Sequence, residues 1–174
     1  MVWLLAAVAI AGGKWDGRDS NIVARTTVQA PPDAIYAILE DVHALEQLYP
    51  RHCASNFDYG ARKAPEADLR VTYHLGLMDR RLDARWSRRE PNRLVEIDHL
   101  GNKGFITRWT LTEADGGTLV EVTTFINPPP WPVKRYYYTR VRPVWTQCYL
   151  DALEALGDRV VVPTPPEDDD GHSG

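Results

Sequence analysis

The sequence predicts an α+β domain in which a curved antiparallel β-sheet wraps around a long C-terminal helix, with two short helices after the first strand. Three observations predict it. Apolar and polar residues alternate in successive segments between positions 69 and 126, the period of half-buried strands. Short turn clusters separate those segments, which suits a meander. One later segment, 137–156, repeats apolar residues at steps of three and four, and it is the element large enough to cover a sheet with one apolar face.

The chain has 174 residues, 44% hydrophobic and 25% charged, which fits one globular domain. Three regions are expected: an apolar N-terminal extension or signal-like segment over 1–20, a folded domain over 21–158 and an acidic, disordered tail over 159–174. The run 2–11 is too short to span a bilayer as a helix, and no Lys or Arg precedes it. A cytoplasmic protein is therefore expected, with export through this segment as the alternative.

Net charge is −4, and Glu167, Asp168, Asp169 and Asp170 supply all of it, so the domain itself is close to neutral. A neutral domain has no field to attract nucleic acid. Cys53 and Cys148 stand far apart with no CxxC spacing, and two reduced, half-buried thiols are expected, with a disulfide as the alternative if the chain is exported. No pair of His residues has metal-site spacing, no nucleophile motif appears, and no glycine-rich loop suits a phosphate. Neither metal nor cofactor is expected.

In chain order, the β-branched run 21–29 reads as a strand broken by Ala30-Pro31-Pro32. Pro32 and Asp33 suit a helix start, followed by Ile35, Ile38, Leu39 and Val42 at helical spacing. A second short helix from Asp41 carries Leu45 and Leu48 and stops at Pro50. Strands follow over 69–77, 82–87, 93–100, 105–113 and 118–126, joined by turns at 78–80, Glu90-Pro91-Asn92, 101–104 and Asp115-Gly116-Gly117. Pro143 predicts a kink in the last helix, or a helix start there, and Gly157 suits its end.

Strand alternation directs Tyr73, Trp86, Thr107, Trp109 and Val122 toward the helix, and helical spacing turns Tyr137, Val141, Trp145, Cys148 and Tyr149 back toward the sheet. These residues are the candidate ligand wall, because Tyr and Trp combine large apolar area with one polar handle. The strand over 93–100 sets Glu96 and Asp98 on one face and His99 on the other, so either an acid pair or His99 approaches the interior. All three are candidate proton-transfer groups, with surface ion pairs to Arg85, Arg88 or Arg108 as the alternative. A dense basic stretch, Arg80 to Arg93, suggests transient contact with an anionic membrane surface, against a plain solvated face.

Three segments carry a family resemblance: "VARTTVQAPPDAIYAILEDVHALEQLYP", "RLVEIDHLGNKGFITRWTLTEADGGTLVEVTTF" and "VWTQCYLDALEALGD". Together they resemble the START / Bet v 1-like superfamily, in its polyketide cyclase and lipid-transport branch. The resemblance spans about Asn21 to Asp158. It implies a helix-grip fold holding a lipid, sterol, polyketide or quinone-like molecule. Pro143 and the aromatic run before it depart from the usual pattern. Binding or carriage of a hydrophobic small molecule or lipid is the leading expectation. A cyclase or dehydratase and a protein-interaction module are the alternatives. Oligomeric state is not legible.

Overall fold

The computed structural model describes residues 14–15, 18–61, 64–74, 79–100, 105–126 and 133–160. The expected turn at 101–104, the positions Leu75 and Leu77, the apolar run 2–11 and the acidic residues of the tail lie outside them.

Eight strands form one antiparallel sheet: β1 (Lys14–Trp15), β2 (Arg18–Val28), β3 (Ala54–Ala61), β4 (Ala64–His74), β5 (Asp79–Glu90), β6 (Leu94–His99), β7 (Ile106–Ala114) and β8 (Gly117–Phe125). Their order across the sheet is β1-β2-β8-β7-β6-β5-β4-β3. β3 to β8 therefore run as a meander, and β2 closes against the last strand. Gly117 holds the β7–β8 hairpin against β2: a Cβ there would lie 2.1 Å from the Val28 carbonyl oxygen.

β3 lies outside the expected strands. Its alternation is blurred by register shifts against β4, and Asn56 has φ of 53°. Between β2 and β3 stand α1 (Pro32–Glu40) and α2 (Val42–Glu46). Asp41 caps α2 by accepting from the Ala44 N–H at 2.7 Å. Ile35, Leu39, Val42 and Leu45 are buried.

The C-terminal helical stretch has three parts: α3 (Val133–Tyr136), a π-helical turn (Tyr137–Val141) and α4 (Arg142–Arg159). Pro143 stands at the start of α4 and has no N–H to donate, so the ladder is re-spaced just before it. Of the two outcomes expected at Pro143, the helix start is the one observed, and α4 continues past Gly157 to Arg159. Trp145, Tyr149, Ala152, Leu153 and Leu156 are buried on its inner face, and the helix packs on β2.

Cys53 and Cys148 form a disulfide, with Cα atoms 6.0 Å apart across 95 residues of sequence. This overturns the expectation of two free thiols; Cys148 lies buried on the inner side of α4 as a half-cystine. The turn before β3 lies beneath the middle of α4, a proximity created only by tertiary packing. No helix of the described residues is long and apolar enough to cross a membrane.

Candidate functional site

Aromatic rings pack against one another between the sheet and α4. From the sheet come Tyr73 (β4) and Trp109 (β7), from the helix Trp145 and Tyr149, and from the segment after α2 comes Tyr49. Tyr73 meets Trp145 at 5.2 Å between ring centroids, and Trp145 meets Tyr149 at 5.7 Å. Tyr49 meets Trp109 edge-on at 6.4 Å and Tyr149 at 6.1 Å. Val120, Val122, Leu69, Val71 and Leu111 fill the sheet side between the rings. Of the remaining expected wall residues, Thr107 and Tyr137 are buried, while Trp86 and Val141 are half-buried at the core's edge.

The orientation of β6 is decided by its partners. Glu96 turns away from the helix, accepting two bonds from the Arg108 guanidinium at 2.8 and 2.6 Å and one from Ser87 at 2.7 Å. Asp98 pairs with Arg85 at 3.1 Å. His99 faces inward, 1% exposed, with its ring stacked on Phe105 at 4.0 Å. Of the three candidate proton-transfer groups, the fold brings only His99 to the aromatic interior.

His99 Nδ1 lies 3.1 Å from the Phe105 carbonyl oxygen, which can only accept, so Nδ1 carries the proton. Nε2 is then an acceptor, and the Tyr73 hydroxyl donates to it at 2.5 Å. Burial lowers the His99 pKa from 6.5 to about 4, against the opposing pull of the Phe105 hydrogen bond and Asp98. The imidazole is neutral at physiological pH. Burial also pushes the Tyr73 phenol well up. A second polar chain runs beside the first: Tyr149 and Thr124 share a bond of 2.5 Å, and Thr107 lies 3.4 Å from Thr124.

Three buried polar atoms in this interior have no hydrogen-bond partner: Trp109 Nε1, Trp145 Nε1 and Tyr137 Oη. Leaving such a group unsatisfied costs about 1–3 kcal/mol, and Tyr149 neighbours two of the three residues: its ring meets that of Trp145, and its charge is felt at Tyr137. Burial pushes the Tyr49 phenol well up, and the nearby Trp109 N–H opposes that shift from a position that does not meet hydrogen-bond geometry. Tyr137 sits within electrostatic reach of Tyr149, and burial pushes its phenol strongly up. These orphan donors were not legible in the sequence, because whether an indole N–H finds a partner depends on distances between elements.

Charge is absent from this interior among the described residues. The buried polar and charged side chains are Thr26, Glu96, His99, Thr107, Thr118, Thr123 and Thr124, of which Glu96 is spoken for by Arg108. His52, Cys53 and Cys148 offer ligand atoms within 4.8 Å of one another. With both sulfurs in the disulfide, that group offers a metal one imidazole and no thiolate.

A family model described as "Polyketide cyclase / dehydrase and lipid transport" matches residues 20–161. The chain belongs to this family. No curated protein matches it. Among solved structures it is similar to the KanY protein, at 19% identity and a TM-score of 0.64, over 83% of this chain and 98% of that one. It is also similar to the Zhui aromatase/cyclase from Streptomyces sp. R1128, at 14% identity and a TM-score of 0.62, over 80% and 92%. A START superfamily protein from Mycobacterium smegmatis matches at 17% identity and a TM-score of 0.58, over 80% and 95%. At these identities the likeness is one of fold. The helix-grip architecture of the polyketide cyclase/dehydrase and lipid transport family is thus the fold of this chain, and it is a fold for holding hydrophobic ligands.

Proposed function

We propose that this protein binds a neutral, largely apolar small molecule bearing at least one oxygen acceptor, held between α4 and the sheet. The observation that carries the reading is the set of unpartnered donors, Trp109 Nε1, Trp145 Nε1 and Tyr137 Oη, among packed aromatic rings. An indole N–H can only donate, so the missing partner is an acceptor such as a carbonyl or ether oxygen. No Lys or Arg stands among the buried side chains of the described residues to neutralise an anion, and an unpaired buried charge is costly. A neutral ketone, ester or quinone-like ligand fits where a buried carboxylate or phosphate does not. Native mass spectrometry of protein purified from its own host tests this. A bound neutral mass that organic solvent releases is expected. A protein that arrives empty and takes up no apolar ketone or quinone in titration would refute the reading.

Proton transfer is the second reading, favoured by the Tyr73–His99 pair. The Tyr73 hydroxyl donates to a neutral imidazole that a carbonyl locks in orientation, and burial keeps both groups neutral, so the pair would pass a proton only as charge develops on a bound substrate. Tyr73→Phe and His99→Gln would each abolish turnover while retaining ligand binding if catalysis occurs here. Unchanged turnover in both variants would leave binding alone.

A further inference from the structure

Val133, Tyr136 and Val144 are the large hydrophobic residues left open to solvent among the described residues, at 53%, 39% and 44% exposure. Scattered singly, such residues mean little. These three belong to one continuous helical stretch and are exposed, whereas Tyr137, Trp145 and Tyr149 of the same stretch are buried. The same stretch carries Lys134, Arg135, Arg140 and Arg142, and no acid occurs from Val133 until Asp151. Arg135 and Arg140 are exposed and enter no ion pair among the described residues, and Arg142 lies over the Tyr138 ring at 5.6 Å.

The basic stretch of β5 is different. Arg81 is matched by Asp58 at 2.8 Å, Arg85 by Asp98 at 3.1 Å and Arg88 by Glu90. Exposed Arg80 and Arg89 keep their charge there, but none of the large exposed hydrophobic side chains stands on β5, so among the described residues the helical stretch is where unpaired cations stand beside exposed apolar groups.

We propose that the face formed by Val133, Tyr136 and Val144, with Arg135, Arg140 and Arg142 around it, docks on an anionic lipid bilayer. A short amphipathic segment with cations flanking apolar groups lies in the interface plane rather than crossing it, and no described helix is apolar enough to cross. A second copy of the chain fits this face poorly. A two-fold contact would set the same arginines against each other with no acid to separate them. Tyr137 belongs to the same stretch and points inward, so a docked helix would sit directly beside the aromatic interior.

The test is sedimentation of the full chain with vesicles of phosphatidylcholine alone, or of phosphatidylcholine with 30% phosphatidylglycerol. Binding to the anionic vesicles is expected, weakening at high salt and absent from the neutral ones. Each basic residue near such a surface strengthens binding about five-fold, so R135Q/R140Q should weaken it about thirty-fold. V133S/Y136S/V144S should weaken it at least ~ten-fold, since part of each apolar group leaves water on docking. Circular dichroism checks that both variants keep their fold, as expected for exposed positions. No binding to anionic vesicles would overturn the proposal. So would binding that survives both sets of substitutions, or a concentration-dependent dimer that the serine variant abolishes in place of vesicle binding.

Discussion

Removing the disulfide should cost this domain a large part of its stability. The bridge ties the turn before β3 to the middle of α4, closing 95 residues of chain that include β3 to β8. Closing a loop of that length lowers the entropy of the unfolded chain by an amount worth about 4–5 kcal/mol. Cys53 is anchored on its own side: its N–H donates to the Pro50 carbonyl and its carbonyl accepts from His74. Cys148 stands beside Tyr149 on the buried face of α4. Loss of the bridge therefore releases the helix that covers the aromatic interior, while the β3 end stays pinned. The perturbation is C53A/C148A, and the assay is urea unfolding followed by circular dichroism and tryptophan fluorescence. With a slope of about 2 kcal/mol per molar for a domain of this size, the midpoint should fall by about 2 M. Wild type unfolded in a dithiol and refolded reduced should behave like the variant. A midpoint shift below about 0.5 M would refute the reasoning, because the chain entropy would then be compensated elsewhere or the bridge would be absent from the folded protein.

Three further outcomes follow from single side chains. The folded-state pKa of His99 is depressed from 6.5 to about 4, so its contribution is complete above pH 6.5 and is lost as pH falls toward 4. Wild type should lose about 2 kcal/mol more than His99→Gln between pH 7.5 and pH 5, read from urea midpoints; parallel pH profiles would contradict the assignment of a buried neutral imidazole. Arg108→Gln should destabilise by about 3 kcal/mol, because it leaves Glu96 buried without its cation, and it should leave ligand affinity unchanged, since the pair lies on the face away from α4. Tyr137→Phe removes a buried hydroxyl that has no partner, so the empty protein should keep or gain up to about 1 kcal/mol of stability, while affinity for a ketone or quinone probe in calorimetry falls about five-fold or more. Affinity that stays constant as stability drops would show that the hydroxyl serves the fold and not a ligand.

The strands with one clean apolar phase were readable from sequence, and the reasons are physical. β7 and the first half of β8 alternate because one face is buried and the other is more open, so Trp109, Leu111, Val120 and Val122 stand in period two. β6 was not readable in the same way. Leu94, Val95, Glu96 and Ile97 are all buried, so both faces are covered and alternation could not choose between Glu96 and His99. The choice is made by Arg108 and Ser87 on one side and by Tyr73 and Phe105 on the other, all from other strands. β3 was hidden by its register shifts, and the disulfide by a sequence separation that carries no geometry. Pro143 did announce the break in the last helix, because its missing N–H re-spaces the ladder just before it; that the re-spacing takes the form of a π-helical turn was not legible.

The decisive measurement is a structure of the protein with a neutral ketone or quinone bound at saturating concentration. An oxygen of the guest should lie about 2.7–3.2 Å from Trp145 Nε1, Trp109 Nε1 or Tyr137 Oη, with its apolar body against Tyr73 and Tyr149. A guest seated elsewhere on the surface, with those three groups still facing hydrocarbon, would contradict the proposal that they await a ligand.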